Sequence, residues 1–385
     1  MIDNKNILTK PIPVGQMNFP SWERFENAFK GIFNREYYTN HGPLLAELES
    51  KLEKFLKVKN VVCVTNGTIA LIIAAKALGL SGKVIVPSFS FIATAQSLTW
   101  AGLEPVFCDV DPTTHHIKAD LAEKLIDSNV SAILAVNLWG NSCAVEDLQN
   151  LANTKKIKLY FDSAHGFGCE RNGTSLACLG EASIFSFHAT KILNAAEGGC
   201  VCTNDDELAE KIRNIRSSYG VRKQVDIPFT GNGRMSEAQA AMALLSLEDY
   251  KFNQNRNREY YNLYCKLLSE IKGIKIYQPD SNGLSNYQYV VCQLNEKEFG
   301  VSRDNLVNYL RSKNILTRRY FTPGMHRTIP YCNDFPQYLN ACPNTDKLCA
   351  SVFQLPSGQD VTPEIIKIIC DIIINFYKNS QSCSK

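Results

Sequence analysis

The chain has 385 residues, 45% of them hydrophobic, which is enough apolar material for a large core and a length suited to about two to three domains. Its 41 basic and 38 acidic residues leave a net charge of +3, which excludes an extended basic face for nucleic acid. No apolar run approaches the ~18 residues of a membrane span. Residues Met1 to Lys10 lack the cationic start and apolar stretch of a secretory signal, so a cytoplasmic protein that engages no membrane is expected. The 14 cysteines are scattered from Cys63 to Cys383 without the paired spacing of zinc or redox sites. They read as small buried hydrophobes in a reducing compartment, and no metal site is expected.

Pro11 and Pro13 punctuate an amino-terminal arm expected to lie along a folded body. From residue 60 to 205, short apolar runs alternate with longer helix-period stretches. The runs are Val61 to Val64, Lys83 to Val86, Pro105 to Cys108, Ala132 to Val136 and Ile157 to Phe161. Continuous rather than alternating hydrophobicity means burial on both faces, so the rhythm predicts an α/β fold with a mostly parallel sheet covered by helices. Thr68 leads into one helix and Ser90 into the next, each after a strand end. Cys200 and Cys202 alternate within Gly199 to Thr203, which puts both thiols on one strand face. Asp205-Asp206-Glu207 opens a helix that carries Lys211, Arg213 and Arg216 toward its end, as the helix dipole favours.

After the helical run Glu237 to Leu247, a polar helical stretch continues through Gln254 to Tyr264, and the domain change is placed near residue 250. Residues 1–250 are expected to form the large domain with its arm, and 251–385 a smaller α+β domain. The latter holds a predicted strand at Tyr289 to Leu294, a helix at Arg303 to Ser312, a helix at Thr362 to Phe376 and a frayed polar tail from Lys378.

Three residues concentrate the chemistry. Lys191 follows the aromatic-rich segment Ser183 to Phe187, Asp162 ends the run Ile157 to Phe161, and Ser186 lies between them. Each has an ordinary structural explanation as a solvated strand end, a turn cap or a buried hydroxyl. Together they fall at carboxyl ends of predicted strands, where an open α/β sheet places its ligands. An amine to condense with an aldehyde, a carboxylate to keep a ring nitrogen protonated and neutral donors for a phosphate point to pyridoxal phosphate.

The neighbouring segments extend that reading. At Asn66-Gly67-Thr68 a strand turns into a helix whose free N–H groups suit a phosphate, although a plain glycine turn with a threonine cap has the same appearance. Phe89 and Phe91 end the next strand two residues apart, and Phe91 is assigned to the cofactor ring. His165 either touches the cofactor as a neutral imidazole or fills a turn. Gly231 to Met235 offers the amide of Asn232 and the guanidinium of Arg234, a side chain that grips phosphate at two points, in a loop that follows Arg222, Lys223 and Gln224. Arg318 to His326 adds cations and aromatics on a second loop. Arg319, Tyr320 and His326 are read there as contacts for a substrate with anionic and ring-shaped parts, or for a domain interface.

These segments, in order and from about Thr39 to Pro356, resemble the DegT/StrS-type family of pyridoxal-phosphate-dependent nucleotide-sugar aminotransferases. The resemblance rests on Asn66-Gly67-Thr68, Pro87 to Phe91, Asp162 to His165, Ser186 to Lys191, Glu197-Gly198-Gly199 and Asn232 to Glu237. It implies the aspartate aminotransferase fold, fold type I, and a homodimer that builds its active sites at the interface. It implies pyridoxal 5′-phosphate as cofactor, with pyridoxamine phosphate as its aminated form. Lys191 would tether the cofactor and Asp162 would pair with the ring nitrogen. Phe91 would stack on the ring, His165 would touch the cofactor, and Gly67, Thr68 and Ser186 would hold the phosphate. Asn232 and Arg234 would reach the partner's site. L-Glutamate would be the donor and a nucleotide-linked keto-sugar the acceptor.

The Arg318 to His326 segment looks like members that aminate C4 of dTDP-4-keto-6-deoxyglucose, work that belongs to deoxyamino-sugar and lipopolysaccharide O-antigen biosynthesis. Amination at C3, a UDP- or GDP-sugar and a free inositol-like ketone remain alternatives. A family branch with histidine in place of the lysine performs dehydration, and the presence of Lys191 favours transamination. A non-catalytic regulatory protein on the same fold is the competitor from another class.

Overall fold

The computed structural model describes residues 8–217, 219, 221, 223–227 and 229–382; Arg222 lies outside these. Seven strands form the central sheet: β1 (Asn60–Val64), β2 (Lys83–Pro87), β3 (Glu104–Cys108), β4 (Val130–Val136), β5 (Lys158–Asp162), β6 (Ser183–Ser186) and β7 (Gly199–Thr203). Their order is β1-β7-β6-β5-β4-β2-β3. From β6 to β3 every pairing is parallel, and β7 runs antiparallel to both β6 and β1.

The continuous apolar runs are buried on both faces, as the sequence requires. Val61 and Cys63 of β1 enter one core together with Cys200 and Cys202, whose sulfurs lie 3.7 Å apart, while Val62, Val64 and Val201 enter the core on the opposite face. The helices α1 (Trp22–Arg35), α2 (Pro43–Leu56), α3 (Gly67–Ala77), α4 (Ala93–Trp100), α5 (Asp206–Arg216) and α6 (Glu237–Glu248) accompany this sheet. Asn66, rather than Thr68, caps α3 by accepting from the Ile69 amide at 2.9 Å. Ser90 does not cap α4; its hydroxyl meets that of Thr94 at 2.8 Å.

A second sheet of four antiparallel strands follows, in the order β8-β9-β11-β10. These are β8 (Ile274–Ile276), β9 (Val290–Leu294), β10 (Arg318–Arg319) and β11 (Val352–Leu355). Helix α7 (Tyr250–Leu268) links the two bodies: Tyr250 belongs to the core of the large sheet, whereas Tyr260, Tyr264 and Leu268 belong to a separate core. Helices α8 (Arg303–Ser312), α9 (Pro343–Ser351) and α10 (Pro363–Ser382) complete the smaller body, and α8 and α10 share its core.

Three details connect the parts. The arm pairs Ile12 with Ile315 and Pro13 with Leu316, and the Gln16 amide then donates to the Thr190 carbonyl at 3.1 Å, so the arm lies against the loop that carries Lys191. Met325, Tyr331 and Cys342 leave the smaller body to pack on the large sheet. The expected frayed tail is helical through Ser382, because Ser380 and Gln381 donate to the Phe299 carbonyl at 2.8 and 3.0 Å. Among the described residues, no helix is long and apolar enough to cross a membrane.

Candidate active site

The parallel strands end at a common rim, and there the chain leaves a cavity of about 980 Å³. Asp162, the last residue of β5, is 6% exposed and held on both oxygens: the Ala164 amide donates to Oδ1 at 3.1 Å and Thr94 Oγ1 to Oδ2 at 2.9 Å. Burial raises its pKa above the ordinary carboxylate value, opposed by those two donors and by the charge of Lys191. Burial is the largest cause because desolvation penalises the ionised form, and a cation in the cavity would relieve that penalty.

Lys191 sits in the loop between β6 and β7, in a turn closed by its own amide donating to the His188 carbonyl at 2.8 Å. Its Nζ donates to the Tyr289 hydroxyl at 2.9 Å. Burial lowers its pKa to about 8, against the attraction of Asp162 and with a further push from Arg318. His165 packs 4.2 Å from the Tyr289 ring and 5.3 Å from Trp139. Burial, reinforced by the Lys191 charge, drives its pKa well below the usual histidine value, so it is a neutral imidazole, and its Nδ1 has no hydrogen-bond partner among the described residues.

The other end of the cavity is made by the amino terminus of α3. A Cβ on Gly67 would fall 2.9 Å from that of Ser186, so only glycine lets the helix start approach β6 this closely. Gly199 is required for the same approach, since a Cβ there would lie 2.8 Å from the Gly67 nitrogen. Gly67, Thr68 and Ser186 all line the cavity, where free helix amides favour an anion.

Of the paired aromatics, Phe89 is fully buried in an aromatic cluster, while Phe91 is 60% exposed and lines the cavity. Arg319 and Tyr320 also line it, with Arg319 engaged by Asp304 at 3.2 Å and Asn308 at 2.7 Å. His326 does not belong to the site. It is 0% exposed, meets Ser88 Oγ at 2.6 Å and Asp346 at 3.2 Å, and anchors its loop to the large sheet. Asn232 and Arg234 lie outside this chain's own cavity; Asn232 is exposed, and Arg234 bridges to Val64 and donates to Ser217 Oγ at 2.8 Å.

The structure adds residues that the sequence did not single out. Thr94 looked like one more residue of a helix start, and Tyr289 like an inward strand residue. Arg318 and Gln354 face each other across β10 and β11 at the cavity wall. No local pattern marked Gln354, and Arg318 stood out only as one cation of the Arg318 to His326 segment, because both meet the site through the second sheet.

The DegT/DnrJ/EryC1/StrS aminotransferase family pattern matches residues 21–374. This chain belongs to that family. Like other DegT/DnrJ/EryC1/StrS proteins it is a sugar aminotransferase that depends on pyridoxal phosphate, and its architecture is fold type I. It is 38% identical over 374 residues to the dTDP-4-amino-4,6-dideoxy-D-glucose transaminase of Shigella dysenteriae, covering 95% of this chain and 99% of that protein. The enzyme of the same name from Escherichia coli is 31% identical over 368 residues, covering 95% and 98%. A crystal structure of DesI in the presence of its TDP-sugar product superposes with a TM-score of 0.93 at 35% identity, covering 98% of this chain and 96% of that one. The family's cofactor fits this cavity: a buried carboxylate with no ion-pair partner among the described residues, an amine of lowered pKa, an orphaned imidazole nitrogen and a helix amino terminus all line it.

Proposed function

We propose that the protein transfers the amino group of L-glutamate to C4 of dTDP-4-keto-6-deoxy-D-glucose, yielding dTDP-4-amino-4,6-dideoxy-D-glucose. The observation that carries the substrate is the 38% identity, over nearly the whole of both chains, to a transaminase of that name. In this reading Gly67, Thr68 and Ser186 hold the cofactor's phosphate, Phe91 covers its ring, and His165 presents its free Nδ1 to it. Arg319 and Tyr320 line the path of the sugar nucleotide. Bound there, pyridoxal phosphate supplies an electron sink for the carbanion formed at the donor α-carbon.

The residues supply the rest. Asp162, ionised and held by Thr94 and the Ala164 amide, keeps a proton on the ring nitrogen. Lys191, with a pKa of about 8, has a neutral fraction near physiological pH and so tethers the cofactor at rest. Once displaced by the donor, its Nζ accepts the α-carbon proton, with the Tyr289 hydroxyl as its resting partner. The reverse sequence delivers the amine to the keto-sugar.

We assign residues 1–250 to the cofactor domain and 251–385 to the smaller domain. We further propose a cytoplasmic homodimer in which Asn232 and Arg234 of each protomer complete the site of its partner; their position outside their own cavity supports this. The substrate reading is tested by incubating the enzyme and glutamate with dTDP-, UDP- and GDP-linked keto-sugars and locating the new amine by NMR. Amination of only a UDP-sugar overturns the substrate and leaves the reaction.

A further inference from the structure

One wall of the cavity carries a guanidinium with no carboxylate partner and a buried amide with no partner at all, among the described residues. Arg318 and Gln354 are directly opposed in the β10–β11 ladder, so their side chains are neighbours on one face of the smaller sheet, and both line the cavity. Arg318 has no ion-pair partner among the described residues, whereas the adjacent Arg319 is occupied by Asp304 and Asn308. Gln354 is 1% exposed, and neither its amide oxygen nor its amide nitrogen makes a hydrogen bond. A buried amide left without partners is costly, and at a cavity wall it marks a place that a ligand completes.

We propose that Arg318 and Gln354 form a carboxylate subsite that receives the α-carboxylate of the amino donor. The inference rests on the aminotransferase reading above and deepens it. Gln354 pairs with Val291, and Tyr289 lies two residues before Val291 on the same strand face. The same sheet face therefore carries the hydroxyl that holds Lys191 Nζ and the Arg318–Gln354 pair. In an amino acid the α-carboxylate is bonded directly to the carbon that gives its proton to Lys191, so it must lie beside that nitrogen. The phosphates of a sugar nucleotide are separated from the keto carbon by most of a sugar ring, so no such constraint places them beside Lys191. The guanidinium offers a two-point grip on one carboxylate, Gln354 Nε2 adds a third donor, and Oε1 is left to accept from the donor's ammonium as it enters.

The test compares wild type with Arg318→Gln and Gln354→Leu, each loaded with cofactor. Calorimetry measures 2-oxoglutarate and thymidine diphosphate binding, and single-turnover absorbance follows reaction with glutamate. The subsite predicts that the 2-oxoglutarate Kd and the glutamate concentration for half-maximal rate both rise about 10- to 100-fold, or about 1.4–2.8 kcal/mol, while thymidine diphosphate binding stays within about threefold. Arg318→Lys, which keeps the charge without the fork, recovers part of the loss. Unchanged 2-oxoglutarate binding in both variants overturns the subsite alone, as does a loss that falls on thymidine diphosphate. A wild-type enzyme that takes no amino group from glutamate overturns the proposed function with it.

Discussion

Replacing Thr94 by valine removes a single proton donor from the buried carboxylate at the end of β5. Thr94 Oγ1 gives its only proton to Asp162 Oδ2 at 2.9 Å, so at 2.8 Å it accepts from Ser90, and the two hydroxyls form a relay that ends on the carboxylate. A hydrogen bond to an ionised group contributes about 1.5–3 kcal/mol. Its loss removes a donor that favours the ionised form and so raises the Asp162 pKa further. Because that pKa is already raised by burial, the folded cofactor-free protein binds more protons than the unfolded chain between the ordinary carboxylate value of 3.8 and the raised one. Stability therefore falls as pH rises through that window, and Thr94→Val extends the window upward. The variant is expected to be less stable by roughly 1.5–3 kcal/mol above the window, with a much smaller difference at acid pH, where both carboxyls are protonated. Urea unfolding of the cofactor-free protein across a pH series measures this, and Thr94→Ser restores wild-type behaviour. In the loaded enzyme, single-turnover reaction with glutamate slows about tenfold. A stability loss that is the same at every pH, or a serine variant that behaves like valine, refutes the reasoning.

Other expectations follow from the same geometry. Lys191→Ala abolishes turnover and covalent capture of the cofactor, read from absorbance and mass; capture by wild type accelerates as pH rises through about 8, since only the neutral amine condenses. Tyr289→Phe deletes the acceptor that favours charged Lys191 and shifts that midpoint to lower pH by roughly half a unit to one unit, measured by stopped-flow pH profiles. His326→Leu costs about 2 kcal/mol of stability in denaturant unfolding but leaves the glutamate half-reaction nearly unchanged, because the ring anchors a loop through Ser88. Mixing inactive Lys191→Ala protein with Arg234→Ala protein restores activity toward about a quarter of wild type, because some mixed dimers then hold one intact site. No recovery after subunit exchange argues against shared sites.

The large sheet was legible because its strands are buried on both faces, a pattern that a sheet covered by helices produces, and each run appears within two residues of its predicted place. The cofactor wall was legible for a related reason: Asp162, Ser186 and Gly67 sit at strand ends, where sequence position and site position coincide. The second sheet gave less away. Tyr289 and Gln354 occupy inward strand positions that resemble core, and nothing local records that this core faces a lysine on another body. His326 misled because a histidine beside arginines and aromatics looks functional, although its ring is fully buried outside the cavity lining and bonded through Nδ1 to Ser88. The cap of α3 shifted from Thr68 to Asn66 because Gly67 enters the helix, leaving Thr68 at the cavity.

The central claim is that Lys191 and Asp162 serve a sugar transaminase. Purified protein loaded with pyridoxal phosphate and given L-glutamate should convert the cofactor to its aminated form with stoichiometric 2-oxoglutarate. Adding dTDP-4-keto-6-deoxy-D-glucose should then restore the starting absorbance and place the amine on C4 by NMR. Cofactor that binds but never exchanges its amino group with glutamate contradicts the account and favours a non-catalytic protein on the same fold.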